Sequence, residues 1–286
     1  MINAVKKVFG PEIDIAASSR IGGGCINNSV RLTLNNEREV FVKRNGLQFP
    51  GMFEQEAKGL DLLRKDQGPR VPKTLGHCLE NGEQYLFLEY IASAPKRSDY
   101  ETEFGRKLAM LHKSADADYF GLDTDNYIGS SPQSNSREIT WPRFFAEKRL
   151  GFQLKLAVKN GRAVKALTDG LYSIIKRIDD LLPNPGRSYL LHGDLWGGNA
   201  ITDEAGSPVL IDPAVYYGHY EAELAMTELF GGRGKAFYSA YNEVLPISPE
   251  YKKLKHLYNL YHLLNHLNLF GNSYLGSCLE IVNRFK

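Results

Sequence analysis

Two different spacings of apolar residues divide the chain near residue 92. Before that point, short segments alternate between apolar and polar residues, which predicts β-strands over residues 29–34, 39–43 and 85–91. One helix interrupts these strands, because Phe53, Ala57, Leu60 and Leu63 recur at helical spacing. The first part of the chain is therefore predicted to be a small β-rich lobe with one main helix.

After residue 92 the apolar residues recur at helical spacing. A first helix is predicted to open with a capping box formed by Ser98 and Glu101. Further helices are predicted over residues 143–158, 163–182, 221–230 and the last 35 or so. The fold class is thus α+β with two lobes, an antiparallel β lobe at residues 1–91 and a larger, mostly helical lobe at 92–286.

One long connection stands out inside the helical lobe. Residues 120–141 are rich in Ser, Asn, Asp and Gly. Loops of this length are usually functional or mobile. We therefore expect this segment to contribute to a functional site or to move.

Composition narrows the classes of protein without naming a partner. The 35 Lys and Arg residues nearly balance the 33 Asp and Glu residues, which gives no electrostatic argument for nucleic acid or an acidic membrane. The three cysteines, Cys25, Cys78 and Cys278, are odd in number and form no C-x-x-C motif, as expected in a reducing compartment. With no apolar run of signal-peptide or membrane-span length, the expected location is the cytoplasm.

Three polar residues in the second lobe carry the strongest chemical signal. Asp194 and Asn199 lie five residues apart, and residues 200–211 read as a β-hairpin that leads to Asp212. A hairpin brings its ends together, so Asn199 and Asp212 are expected side by side. An amide oxygen beside a carboxylate is a donor pair that suits Mg²⁺.

Asp194 is placed to act as a proton acceptor. The spacing D-x-x-x-x-N is that of a kinase catalytic loop, where the aspartate accepts the proton of the attacking hydroxyl and the asparagine binds metal. Taken singly, each of these residues is better explained as a turn former or helix cap. Their order along one hairpin favours the catalytic interpretation.

The first lobe supplies residues that would complete such a site. Lys43 ends a predicted strand and Glu56 lies on the apolar face of the following helix, an arrangement that positions the phosphate-binding lysine in kinases. The alternative is a lysine lying along the surface and a half-exposed glutamate. Gly22, Gly23 and Gly24 precede a strand, where a glycine-rich hairpin can cover phosphates or simply form a turn.

Other residues are candidates for binding the substrate that accepts the phosphate. Trp196 interrupts the glycine-rich catalytic segment, so it is either a core aromatic residue or a surface for a sugar and a protonated amine. His262 and His266 share one helix face, which favours packing or substrate-pocket lining over a metal pair, because no third ligand is evident. Cys25, within the glycine-rich hairpin, is either a reactive thiol or a small turn residue.

Together these motifs resemble the fructosamine kinase (ketosamine 3-kinase) family, relatives of the aminoglycoside and choline phosphotransferases. The resemblance runs from about residue 15 to the end of the chain. Its segments are Gly22-Gly23-Gly24-Cys25-Ile26-Asn27, Phe41-Val42-Lys43, residues 52–60, Asn126-Tyr127-Ile128-Gly129, Pro132-Gln133-x-Asn135, residues 192–199, 212–218, 225–232 and 261–270. One departure is Glu221-Ala222-Glu223, where the family commonly shows E-x-D.

The resemblance implies a protein-kinase-like fold and ATP and Mg²⁺ as cofactors. It makes Lys43 and Glu56 the pair that holds the phosphates, Glu89, Tyr90 and Ile91 the adenine-lining strand, and Asp194 the base, with Asn199 and Asp212 as the metal ligands. The implied reaction is transfer of the ATP γ-phosphate to the 3-hydroxyl of a ketosamine of the fructosamine or ribulosamine type, a deglycation activity.

Several expectations about acceptors and partners follow from the resemblance. The acceptors are free ketosamines or glycated protein lysines, with no nucleic acid or membrane partner, and the chain is expected to be a monomer or weak dimer. The alternatives are a related aminoglycoside- or choline-type phosphotransferase, or a nucleotide-binding module without turnover. A protein kinase is disfavoured, because a helix begins about nine residues after Asp212, which leaves no room for a long activation loop.

Overall fold

The computed structural model describes residues 1–22 and 28–286. Its N-terminal lobe is built on a five-stranded antiparallel sheet with the strand order β1-β2-β3-β5-β4. The elements of this lobe, in chain order, are α1 (Ile2–Phe9), β1 (Ile15–Arg20), β2 (Asn28–Leu34), β3 (Glu39–Gly46), α2 (Met52–Leu63), β4 (Thr74–Glu80) and β5 (Glu83–Glu89).

Both faces of this sheet are covered. Val5 of α1 packs into one cluster with Val40 and Phe87, whereas Leu60 of α2 belongs to the other cluster with Leu86 and Leu88. Because successive strand residues point to opposite faces, the five central residues of β5 are all buried. The sequence predicted α2 correctly but missed α1, β1 and β4.

The strand predicted over residues 85–91 is shorter than expected. β5 ends at Glu89, which pairs with Val40 near the start of β3. Tyr90 and Ile91 follow the end of this strand, and they form the connection to the second lobe. The predicted boundary after residue 91 lies in this connection, although one hydrophobic cluster contains residues of both lobes, among them Leu88 and Leu108.

The C-terminal lobe is mostly helical, which confirms the predicted α+β class. Its helices are α3 (Tyr100–Ser114), α4 (Trp141–Phe144), a π-helical turn (Phe145–Gly151), α5 (Phe152–Lys159), α6 (Lys165–Lys176), α7 (Ile178–Leu181), α8 (Tyr220–Leu229), α9 (Lys235–Val244), α10 (Tyr251–Phe270) and α11 (Leu275–Phe285). Its short strands are β6 (Asp116–Ala117), β7 (Asn126–Ile128), β8 (Ser131–Gln133), β9 (Ser188–Leu191), β10 (Ala200–Thr202), β11 (Pro208–Leu210) and β12 (Tyr216–Gly218).

Three details of this lobe differ from the sequence prediction. The capping box at Ser98 does not form, because α3 begins at Tyr100 and its N-cap, Asp99, makes no side-chain cap bond. The helix predicted over residues 163–182 is two helices, which meet at Arg177. The sequence also missed α9, whose Phe237 and Tyr241 are fully buried.

The long connection over residues 120–141 contains the β7–β8 hairpin, which lies against the N-terminal lobe. The Tyr127 hydroxyl donates to the carbonyl of Pro50 (3.1 Å), just before α2. Thr124 Oγ1 donates to Gln55 Oε1 (2.9 Å) on α2 itself. This hairpin thus ties helix α2 to the C-terminal lobe. Across the described part of the chain, none of the helices has the length and apolar character needed to cross a membrane.

Candidate active site

The candidate site is a cleft of about 600 Å³ between the two lobes. Phe41 and Leu88 line it from the N-terminal lobe, and Ile201 and Ile211 line it from the β10–β11 hairpin. An apolar slot between two lobes accommodates a flat ring such as a nucleobase. The slot is closed at one side by the connecting residues Glu89, Tyr90 and Ile91, all of which line the cleft.

The side chain of Glu89 is engaged outside this slot. Its carboxylate accepts hydrogen bonds from the Arg70 guanidinium (2.7 Å) and from the backbone N–H of Lys73 (3.1 Å). Arg70 also binds Glu204 on the β10–β11 hairpin. We infer that Glu89 contributes to the cleft through its backbone, while its carboxylate holds Arg70, which in turn reaches Glu204 of the second lobe.

Lys43 lies buried at the centre of the cleft, where the two lobes meet. Its Nζ is 2.6 Å from Glu56 Oε1 on α2 and 2.6 Å from Asp212 Oδ1 in the C-terminal lobe. Burial acts to lower the pKa of Lys43, but the charges of Asp212 and Glu56 outweigh it and hold the pKa above its usual value. The ammonium therefore stays charged, as a phosphate ligand requires.

Asp194 follows β9 in a loop that faces the same cleft. Its carboxylate accepts a hydrogen bond from Asn199 Nδ2 (3.2 Å). Burial and the nearby charge of Asp212 raise the pKa of Asp194 to about 7, although the hydrogen bond from Asn199 acts against them. A carboxylate with this pKa is well matched to accept a proton near neutral pH.

The backbone of this loop is held by a buried carboxylate. Glu223 of α8 accepts hydrogen bonds from the backbone N–H groups of His192 and Gly193, both at 2.8 Å. The imidazole of His112 lies 3.1 Å from the same carboxylate and 2.6 Å from the Tyr241 hydroxyl. Burial acts to raise the pKa of Glu223, but its contacts with His112 and His192 outweigh burial and lower the pKa. Glu223 thus remains an anion beneath the catalytic loop.

The predicted hairpin forms and brings the two candidate metal ligands together. Ala200 pairs with Leu210, and the N–H of Ile211 donates to the carbonyl of Asn199 (3.1 Å). Asn199 uses its Nδ2 to hold Asp194, which leaves its amide oxygen for another partner. Asp212 has a left-handed backbone with φ of 56°.

This donor set fits a magnesium ion. A carboxylate and an amide oxygen are hard oxygen ligands, and Mg²⁺ in nucleotide sites takes its remaining ligands from phosphates and water. Within residues 1–22 and 28–286, no group of three or more His, Cys, Asp or Glu side chains is arranged to hold a metal. The pair of Asn199 and Asp212 therefore fits a metal that arrives with its nucleotide better than a permanently bound one.

Part of the cleft is lined by aromatic side chains. Trp196, which is 41% exposed, faces the cleft together with His266 and Phe270 of α10. The His266 ring lies among the rings of Phe230 (4.8 Å between centroids) and Phe270 (5.3 Å). An exposed aromatic wall of this kind suits a sugar or an organic cation.

His262 occupies a different environment from His266. It is only 3% exposed, and burial lowers its pKa to about 3, so the ring is neutral. Its backbone carbonyl accepts a hydrogen bond from His266 Nδ1 (2.8 Å). The sequence predicted both histidines as substrate residues, but the structure places only His266 among the residues that line the cleft.

The predicted glycine-rich segment contributes to the cleft, as does one residue of α10 that was not predicted. Gly22 lines the cleft, whereas Gly23, Gly24 and Cys25 lie outside the described residues. Asn265 lines the cleft and was missed. Its position between His262 and His266, on the same helix, is the signal that could have identified it.

A two-lobed fold with a lysine–glutamate pair, an Asp-x-x-x-x-Asn loop and a following aspartate in one cleft defines an ATP-dependent kinase of the kinase-like fold. The family model for fructosamine kinase matches residues 1–286. The chain therefore belongs to the fructosamine kinase family.

Individual relatives agree with this assignment. A probable ketoamine kinase from Synechocystis is 40% identical over 284 residues, covering 97% of this chain and 95% of the relative. A chloroplastic protein-ribulosamine 3-kinase from Oryza sativa subsp. japonica is 41% identical over 279 residues, covering 96% and 80%.

Solved structures give the same result. A crystal structure assigned as a fructosamine-3-kinase from Haemophilus somnus has a TM-score of 0.88 and 30% identity, covering 99% of this chain and 96% of that one. An aminoglycoside phosphotransferase, APH(4)-Ia, has a TM-score of 0.63 at 15% identity, covering 99% and 97%. This second likeness concerns the fold alone, and it confirms the predicted kinase-like architecture.

Proposed function

We propose that this protein transfers the γ-phosphate of ATP to the 3-hydroxyl of a ketosamine of the fructosamine or ribulosamine type. The observation that carries the proposal is the joint placement of Asp194, Lys43 and the Asn199–Asp212 pair in one cleft, in a chain of the fructosamine kinase family. The choice of a ketosamine and of its 3-hydroxyl rests on the family and its relatives.

The residues have distinct roles in this proposal. Lys43, held by Glu56, binds the phosphates, and the connection at residues 89–91 borders the adenine. Asp194 accepts the proton of the acceptor hydroxyl as the phosphoryl group is transferred. Asn199 and Asp212 would hold Mg²⁺, which would neutralise the negative charge of the phosphates. Trp196 and His266 border the acceptor, and buried His262 supports His266.

The proposal extends to the setting of the reaction. Free ketosamines or glycated protein lysines are the acceptors, in the cytoplasm, with the chain acting as a monomer or weak dimer without nucleic acid or membrane. The two lobes divide the work, with residues 1–91 binding nucleotide and residues 92–286 supplying the catalytic and acceptor groups.

The direct experiment measures ADP release from Mg-ATP across several acceptors. We expect release above background with fructosamine, ribulosamine or erythrulosamine compounds, free or on a peptide lysine. Release with choline or an aminoglycoside, and with no ketosamine, would instead support the alternative of a related phosphotransferase. Tight ATP binding without release for any acceptor would support a nucleotide-binding module.

A variant of the base separates binding from turnover. Asp194→Ala is expected to bind Mg-ATP almost normally and to turn over at least about 100-fold more slowly, because a general base contributes roughly 10²- to 10⁴-fold. Calorimetric nucleotide binding and kcat at saturating acceptor measure the two effects. A kcat close to that of the wild type would contradict the role of Asp194.

A further inference from the structure

Three buried side-chain amides form a hydrogen-bonded group, and two of them contact the segment that follows Asp212. These residues, Asn126, Gln133 and Asn135, are at most 5% exposed and are here called the amide cluster. Asn126 Nδ2 donates to the carbonyl of Val215 (2.9 Å), and Gln133 Nε2 donates to the carbonyl of Ala214 (2.9 Å). Two consecutive backbone carbonyls after the candidate metal ligand are thus bound by amides.

The orientation of each amide is fixed by its neighbours. Arg149 has only donors, so the oxygen of Asn135 must face its Nη2 (2.9 Å). Asn135 then donates to the oxygen of Asn126 (2.9 Å), which turns the Asn126 nitrogen toward Val215. The hydrogen bonds therefore run in one direction, from Arg149 through the two asparagines to Val215. Val215 belongs to residues 212–215, which are here called the metal loop.

Arg149 itself has an unusual environment for a charged residue. It is fully buried in the π-helical turn, and its guanidinium lies over the rings of Tyr216 (3.9 Å) and Phe144 (4.5 Å). Its hydrogen bonds go to the carbonyls of Ser134 (2.7 Å) and Lys148 (3.1 Å) and to Asn135, and no carboxylate in the described residues pairs with it. Burying an unpaired charge is costly. The presence of an unpaired, buried guanidinium here therefore indicates that its N–H groups have a specific role.

The side-chain oxygen of Gln133 is the remaining hydrogen-bond acceptor of the amide cluster, and it is bound from helix α10. Tyr261 of α10 donates its hydroxyl to Gln133 Oε1 (2.6 Å). The same helix carries Asn265 and His266, which line the cleft. Helix α10 and the metal loop are therefore joined through one glutamine side chain.

The metal loop needs this support because its backbone is strained. Asp212 has a left-handed conformation, which is unfavourable for a residue with a side chain and persists where surrounding contacts enforce it. From the other side, the N–H of Ala214 donates to the carbonyl of His192 (2.8 Å). Ala214 is thus fixed through both its N–H and its carbonyl, two residues after the strained position.

We infer that the amide cluster, completed by Arg149 and Tyr261, positions Asp212 for its metal. It does so by holding the two carbonyls after Asp212, so that the carboxylate points at Lys43 and at the nucleotide-bound Mg²⁺. These are positioning residues, because none of them is proposed to touch the reacting atoms. The inference rests on the proposed use of Mg²⁺ with the nucleotide.

The test compares two tyrosines of the same helix. Tyr261→Phe removes the hydroxyl bound to Gln133 and keeps the ring beside Arg149. The matched control is Tyr258→Phe, which is equally buried, lies on α10 and loses a hydroxyl bound instead to His219 (3.0 Å). Both variants lose one buried hydroxyl, but only Tyr261 reaches the metal loop.

Calorimetry of ADP with and without Mg²⁺ gives a readout that is independent of turnover. For Tyr261→Phe we expect the gain in ADP affinity produced by Mg²⁺ to fall about three- to tenfold, the effect of one hydrogen bond, while metal-free ADP binding is unchanged. For Tyr258→Phe we expect both affinities to match the wild type. Gln133→Met, which removes the three hydrogen bonds that the glutamine side chain makes with Ala214, Asn126 and Tyr261, is expected to exceed the effect of Tyr261→Phe.

Other outcomes would overturn the inference. If the two tyrosine variants alter the Mg²⁺-dependent gain equally, or if neither alters it, the cluster only stabilises the fold. If Mg²⁺ does not improve ADP binding in the wild type, the loop has no metal to position and the inference also fails. A wrong assignment of the ketosamine substrate can be distinguished from a wrong role for the cluster. It would show as absence of ketosamine-dependent ADP release, with the binding of Mg-ADP unchanged.

Discussion

The two loops that meet in the cleft are held in opposite ways. The catalytic loop presents backbone N–H groups, at His192 and Gly193, and a single carboxylate from Glu223 binds both. The metal loop presents backbone carbonyls, at Ala214 and Val215, and neutral amides bind them. Buried donors require an acceptor and buried carbonyls require donors, so the polarity of each loop dictates the chemistry beneath it.

Because of this difference, the contacts that hold the two loops should respond differently to pH. A carboxylate that accepts two N–H bonds introduces a buried charge, and here the imidazole of His112 lies beside it. Side-chain amides do not titrate. We therefore expect the support of the catalytic loop to depend on pH and the support of the metal loop to be independent of it.

The largest effect is expected where the two loops touch. A Cβ on Gly193 would lie 2.0 Å from the carbonyl oxygen of Ala214, and Gly193 has φ of 84°, which L side chains rarely adopt. Gly193→Ala should therefore push the loops apart and lower kcat by more than about 100-fold, because small displacements of reacting groups cost that much. Steady-state ADP release measures it.

A second glycine serves as the control for this substitution. Gly186 lies just before β9, and a Cβ there would meet nothing within 4 Å. Gly186→Ala should leave kcat within about twofold of the wild type, as surface substitutions usually have small effects. If Gly193→Ala were equally mild, the contact between the loops would not matter for catalysis.

A smaller effect is expected from changing the carboxylate beneath the catalytic loop. Glu223→Gln keeps the shape but leaves one of the two N–H groups facing an amide nitrogen. It should lower the free energy of unfolding at pH 7 by about 1–3 kcal/mol, the cost of an unsatisfied buried donor. Chemical denaturation of the variant and the wild type gives the difference.

The same pair of proteins tests the expected pH dependence. The pKa of Glu223 is lowered in the folded protein by its contacts with His112 and His192, which outweigh burial. The stability it contributes is therefore present above the unfolded carboxyl pKa of about 4.3 and is lost as the pH falls through the lower folded value. The stability difference between wild type and Glu223→Gln should shrink below about pH 4. A constant difference would show that ionisation of Glu223 is irrelevant.

The smallest loss of stability is expected from a substitution at Arg149, which supports the metal loop through the amide cluster. Arg149→Lys keeps a positive charge near the aromatic rings but cannot bind Ser134 and Asn135 with the same planar fork. It should cost about 1 kcal/mol of unfolding free energy, the worth of one hydrogen bond. Chemical denaturation of the variant and the wild type at pH 7 gives the cost, and a cost larger than that of Glu223→Gln would contradict the expected order of the two loops.

The sequence predicted the residues that lie close together in the chain or follow one another in a fixed order. Asp194, Asn199 and Asp212 are joined by one short hairpin, so spacing alone brings them together. Lys43 and Glu56 lie on one strand and the next helix, and the structure places them 2.6 Å apart. The local sequence pattern is sufficient to predict that such residues meet, because partners on neighbouring elements can lie apart in few conformations of the chain.

The supporting residues were missed because their partners are remote. Glu223 lies on a helix that begins at Tyr220, where an acid is easily explained as a surface residue, and its partner His112 is 111 positions away. Gln133 meets Tyr261 across 128 positions. Helix α1 was missed for a related reason, since it is needed only because β5 is buried on both faces. The unbroken apolar run Tyr85-Leu86-Phe87-Leu88 was the available signal.

The contact between the β7–β8 hairpin and α2 bears on how the enzyme is controlled. In many signalling kinases the corresponding helix moves, and phosphorylation of an activation loop decides whether its glutamate reaches the lysine. Here Tyr127 and Thr124 fasten that helix from the C-terminal lobe, and Lys43 already contacts Glu56. We therefore expect helix α2 to keep Glu56 against Lys43 without phosphorylation of an activation loop.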